Sequence, residues 1–96
     1  MSVALNLADQ REAILRLAQE HGAHHVRVFG SAARGETRSD SDLDLLVSLE
    51  HGRSLLDHIA FQQDLEDLLG IPVDVVTEKA LHPLIRQQVL AEAVPL

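Results

Sequence analysis

Val26-Arg27-Val28-Phe29-Gly30-Ser31-Ala32-Ala33-Arg34-Gly35, followed by Ser41-Asp42-Leu43-Asp44-Leu45-Leu46-Val47, decides how this chain folds. Val26 to Phe29 is rich in strand-favouring residues, and Gly30 ends the run. Glycine there lets a bulky anion come close to the backbone, and Ser31 adds a hydroxyl beside the amides of the next turn. Ten residues separate Ser31 from Asp42, where a second apolar run begins. Asp42 and Asp44 stand two apart, so a strand starting there points both carboxylates the same way. Two hard oxygen ligands on one face suit Mg²⁺, which takes one or two carboxylates together with substrate phosphates and water. A phosphate cradle beside a carboxylate pair reads as a site for a metal-bound nucleoside triphosphate.

Outward from this stretch, 7–20 reads as a helix, with Leu7, Ile14, Leu15, Leu17 and Ala18 at near-helical spacing and Gly22 just past its end. Residues 24–29 and 42–49 read as strands, and 54–69 as a helix started by Ser54 and Asp57. Its apolar stripe is expected to be Leu55, Leu56, Ile59, Leu65, Leu68 and Leu69. A third strand over 71–77 and a helix over 81–93 follow, the latter with Leu84, Ile85, Val89 and Leu90 facing inward. The helix between the second and third strands predicts a right-handed parallel crossover, which sets Asp74 beside Asp42 and Asp44. The expected class is α/β (α+β), with a mixed three-stranded sheet, helices on one face, and a single domain over residues 1–96. The opposite face is expected to be open, carrying the three Asp with Leu46 and Val76.

The spacing of Gly30-Ser31, Arg34-Gly35, Ser41-Asp42 and Asp44-Leu45 resembles the nucleotidyltransferases of the DNA polymerase β superfamily. The likeness is closest to the minimal branch, which includes the antitoxins paired with HEPN toxins. It implies a polymerase β-like fold and a third carboxylate on a later strand, a place that Asp74 fills within Val73-Asp74-Val75-Val76. It also implies transfer of AMP from ATP to a hydroxyl, with two Mg²⁺ ions at Asp42, Asp44 and Asp74 and the β- and γ-phosphates at Gly30 and Ser31. Arg34 and Ser41 are the further candidates for nucleotide contact.

Each residue has a plainer reading. Asp42 and Asp44 in isolation would be a solvated strand start, and it is Gly30-Ser31 ahead of them and Asp74 behind that turn the balance. A carboxylate among Val73, Val75 and Val76 is expected to be costly unless paired or metal-bound. Asp40-x-Asp42-x-Asp44 fails as a calcium loop, since Leu45 stands where glycine is needed and His51 where the last carboxylate would be. Arg34 has Glu36 and Asp40 as alternative ion partners, and Ser41 can cap the turn. The six His share no metal-binding spacing and read as surface or packing residues, with His24 and His25 on opposite faces of a strand; Glu50 and Glu78 read as solvated.

Composition narrows the partners. Ninety-six residues with two Phe and no Trp or Tyr imply a small aliphatic core, and the lack of Cys excludes disulfides and thiolate metal sites. The formal charge of −7, with one Lys and seven scattered Arg, argues against a nucleic-acid template. No apolar run approaches the roughly 20 residues that span a bilayer, and the N-terminus lacks the basic start of a signal peptide, so a cytoplasmic protein is expected. Without an acceptor domain, the acceptor is expected to be small or to arrive on another polypeptide; the family resemblance implies a co-encoded HEPN-type helical toxin as the leading candidate, and a homo-oligomer is possible. The alternatives are a binding-only antitoxin subunit and a transferase acting on a small hydroxylated metabolite.

Overall fold

Gly22 ends the first helix and turns the chain straight into the sheet. A computed structural model gives the fold and describes residues 7–30, 33 and 43–96. The elements are α1 (Leu7–Glu20), β1 (Ala23–Phe29), β2 (Leu43–Leu49), α2 (Leu55–Leu69), β3 (Val73–Thr77), a 3₁₀ turn (Glu78–Ala80), α3 (Pro83–Glu92) and β4 (Val94–Pro95). Among the described residues no helix is long and apolar enough to cross a membrane.

The α+β class is as expected, with the sheet in the order β3-β2-β1-β4. β1 and β2 are antiparallel, and β2 and β3 are parallel across the α2 crossover. Alternation explains the main core: Leu43, Leu45 and Val47 of β2, Val73 and Val75 of β3, and Val26 and Val28 of β1 point to one face. There they meet Ile14 and Ala18 of α1 and Phe61 and Leu65 of α2. Phe61 is fully buried, at the centre of an otherwise aliphatic core. The start of α2 is a full capping box: the Leu56 amide donates to Ser54 Oγ, and the Ser54 amide donates to the Asp57 carboxylate.

Several expectations need correction. The sheet has a fourth strand, Val94–Pro95, which pairs antiparallel with Arg27 and Val28. Helices cover both faces, because α3 and the segment before it fold over the face expected to be open. Leu46 is fully buried there against Leu81 and Val89, with Val76 packed at the margin, so neither marks a free surface. Leu84 and Ile85 face outward instead, Leu84 being 88% exposed. On α2 only Phe61 and Leu65 are buried, while Leu55, Leu56, Ile59 and Leu68 are exposed. His24 and His25 do not alternate across the strand: the register shifts between His24 and Arg27, His25 has φ +53°, and both side chains are exposed.

Glu78 is not simply solvated. It accepts from Arg27 Nη1 at 2.9 Å and from Ser48 Oγ at 3.0 Å, and its backbone carbonyl accepts from Arg86 Nη1 at 2.7 Å. One residue thus ties β1, β2 and α3 together. The Arg27 side chain is 7% exposed, so its charge is almost wholly removed from water and depends on this partner. Arg27, with Ser48 adding a second hydrogen bond, holds the Glu78 carboxyl below its ordinary value of 4.5. A depressed carboxyl contributes stability that is present at neutral pH and is lost as pH falls through the folded-state value. Glu78→Ala should therefore cost about 3 kcal/mol at pH 7, because it leaves the buried guanidinium without a counter-charge. Urea unfolding at pH 7 and at about pH 4 checks this: the gap between parent and variant should narrow in acid.

Candidate active site

The antiparallel pairing sets Phe29 opposite Asp44, and the parallel pairing sets Asp44 opposite Asp74. Gly30, Asp44 and Asp74 therefore lie across three adjacent strands at one end of the sheet. Register partners in neighbouring strands stand roughly 5 Å apart and project to the same face. Asp44 is half-buried and Asp74 is exposed. Burial among valines is thus not what sets Asp74 apart, since Val73 and Val75 point to the opposite face. Ser31, Arg34, Ser41 and Asp42 lie outside the described residues.

Gly30 has φ +72°, the left-handed region that favours glycine. A Cβ there would stand 2.5 Å from Asp44 Oδ2. The backbone of the Gly-Ser turn and the second carboxylate of the Asp-x-Asp pair are in immediate proximity, as joint contact with one ligand requires. Among the described residues no three His, Asp or Glu group as a metal centre. The donor set at this end is two carboxylates in register, with a clear backbone beside one of them. That set fits Mg²⁺, which uses few protein oxygens and completes its shell with phosphate and water.

A separate cavity of about 320 Å³ lies at the other end of β2 and β3, lined in part by Ser48, Glu50, Arg53, Thr77, Glu78 and Lys79. It does not include the Asp pair. Glu50 is held below its ordinary value by hydrogen bonds from His24 and then Arg53, so those polar groups are already engaged with one another.

The outer side of β3 carries a feature that apolar periodicity does not reveal. The Val73 amide donates to Glu66 Oε2 and the Val75 amide to Gln62 Oε1, both at 3.0 Å, and His58 Nε2 donates to the Val75 carbonyl at 2.6 Å. His58, Gln62 and Glu66 recur every four residues, so they form one polar row on α2 beside the buried Phe61 and Leu65. That four-residue spacing was the available signal.

Carboxylates in register beside a left-handed glycine are an arrangement that a nucleotidyltransferase can use. The chain belongs to that family: residues 10–96 match the nucleotidyltransferase domain model. It is 39% identical over 90 residues to a candidate protein adenylyltransferase of Methanocaldococcus jannaschii, covering 94% of this chain and 97% of the relative. It is 44% identical over 78 residues to the protein adenylyltransferase MntA of Thermococcus cleftensis, covering 81% and 79% respectively. A solved structure of a candidate minimal nucleotidyltransferase superposes with TM-score 0.86 at 60% identity, covering 94% of this chain and 92% of that one. The fold recurs at 22% identity and TM-score 0.75 in a toxin–antitoxin crystal structure with AMP-PNP, covering 88% of this chain and 69% of that one. The chain is a minimal nucleotidyltransferase of the MntA type.

Gly30 is the sharpest test of this geometry. Gly30→Ala should lose about 1–2 kcal/mol through the left-handed backbone, and its methyl should displace the Asp44 carboxylate. Gly30→Val should also abolish nucleotide binding, read by titration with AMP-PNP.

Proposed function

We propose that this enzyme transfers AMP from Mg²⁺-ATP to a hydroxyl on a partner protein, a co-encoded HEPN-type helical toxin, and so acts as its antitoxin. The observation that carries the reading is the register of Asp44 with Asp74 beside Gly30. It gains support from relatives named as protein adenylyltransferases and from toxin–antitoxin complexes of the same fold, one of them with AMP-PNP.

In this reading Gly30 and Ser31 cradle the β- and γ-phosphates of ATP. Asp42, Asp44 and Asp74 would hold Mg²⁺, which when bound neutralises phosphate charge and lowers the pKa of the attacking hydroxyl. The acceptor oxygen attacks the α-phosphorus in line; a new O–P bond forms as the bond to pyrophosphate breaks. Asp74, exposed on the outermost strand, takes the hydroxyl proton, and pyrophosphate leaves from the Gly30 side. The protein's share is positioning and a fixed field, with no covalent intermediate on the chain. Arg34 and Ser41 supply further contacts to the nucleotide.

Incubating the chain with ATP, Mg²⁺ and its co-encoded neighbour should add about 329 Da per AMP to the neighbour, seen by intact-mass spectrometry. Asp44→Asn and Asp74→Asn should each abolish that addition while keeping the fold. For Asp74→Asn the melting temperature without metal should hold or rise, because one of two neighbouring like charges is gone. A partner that is fully inhibited yet unmodified, also by Asp44→Asn, would assign the chain a binding-only antitoxin role instead.

A further inference from the structure

Among the described residues β3 is an edge strand, paired on one side only, to β2. It carries Asp74, whose register partner Asp44 bears the same charge. Two carboxylates on adjacent strands repel, and the strand at the edge is the one free to yield. An unpaired edge also presents bare N–H and C=O groups that invite fraying or a foreign strand. In this protein three backbone groups flanking Asp74 are occupied. The Val73 amide is held by Glu66, and the Val75 amide and carbonyl by Gln62 and His58. All three side chains come from α2, whose Phe61 and Leu65 anchor it in the main core. The edge strand is thereby clamped between β2 and a helix fixed by the core, and Asp74 sits at the middle of the clamp.

We propose that Gln62 and Glu66 are positioning residues for Asp74, holding β3 against carboxylate repulsion so that Asp44 and Asp74 stay in register to bind a divalent ion. The inference rests on the reading of these two carboxylates as the metal site. Neither Gln62 nor Glu66 touches nucleotide or acceptor; both act through the backbone that carries Asp74. What counts is a hydrogen-bond acceptor at each place, not the charge of Glu66, since the neutral amide of Gln62 performs the same task one turn earlier.

The test uses the full chain with Glu66→Ala, Gln62→Ala and Glu66→Gln, and Mn²⁺ as the probe. Amide exchange at Val73 should quicken at least about tenfold in Glu66→Ala, and at Val75 in Gln62→Ala. Mn²⁺ affinity, read by electron paramagnetic resonance, should fall about tenfold in both alanine variants, as when the groups orienting metal ligands are removed elsewhere. Glu66→Gln, which keeps a carbonyl acceptor, should restore both exchange protection and affinity. Lost protection with unchanged Mn²⁺ affinity would overturn the proposal, as would a Glu66→Gln variant as weak as Glu66→Ala. If Glu66→Ala fails to fold, Gln62→Ala decides by the same two readouts. A parent chain that takes up no Mn²⁺ would fail the metal site itself, and this inference with it. Metal uptake without AMP transfer would overturn only the proposed reaction.

Discussion

The parallel register of Leu43–Val47 against Val73–Thr77 is the constraint on which the rest of this molecule depends. Parallel neighbours cannot be joined by a tight turn, so the chain needs a crossover, and α2 supplies it. The same pairing that buries Leu43, Leu45 and Val47 with Val73 and Val75 brings two carboxylates side by side on the opposite face. Core formation and the alignment of these carboxylates are therefore one event. The favourable term is apolar burial on one face, and it outweighs the repulsion it creates on the other. A slip by one residue along β3 would bring Asp74 to the core face and expose the valines, so register is defended by hydrophobic burial.

A second layer rests on a polar contact. The buried Arg27 guanidinium reaches Glu78 just beyond β3, and Glu78 in turn engages Ser48 and Arg86. This draws the 3₁₀ turn and α3 over the face that bears Leu46. Without that closure Leu46, Leu81 and Val89 would be left in water. The cover is partial, and it leaves Asp74 exposed. The sheet is thus closed where it needs stability and left open at Asp74, where the proposed acceptor would reach.

How far sequence alone reached follows from what each signal measures. Helix limits were legible because they have local chemistry: Ser54 with Asp57 at one end of α2, and Gly70 at φ +71° at the other. The strands around Gly30 and Asp44 were legible from composition and spacing, and Asp74 from the crossover. Strand Val94–Pro95 was not, since two residues cannot show a period. On α3, Val89 and Leu90 face inward as expected, but Leu84 and Ile85 are as apolar and face out, because the tether at Glu78 decides which side docks. The expected α2 stripe holds at Leu65 and Leu69 and breaks elsewhere for a related reason. Its polar row is spent on the β3 backbone, so Leu55, Leu56 and Ile59 are turned to solvent. Ser31, Arg34, Ser41 and Asp42 lie outside the described residues, so their place at the site rests on spacing and family.

The aliphatic core has an optical consequence. With Phe61 sealed in the main core, Phe29 at the margin of the second, and no Trp or Tyr anywhere, the chain has almost no near-ultraviolet chromophore of its own. In a mixture with a partner protein, tryptophan fluorescence would report on the partner only. An adenine ring held by this chain, or attached elsewhere through its action, would stand out in absorbance against a nearly dark enzyme.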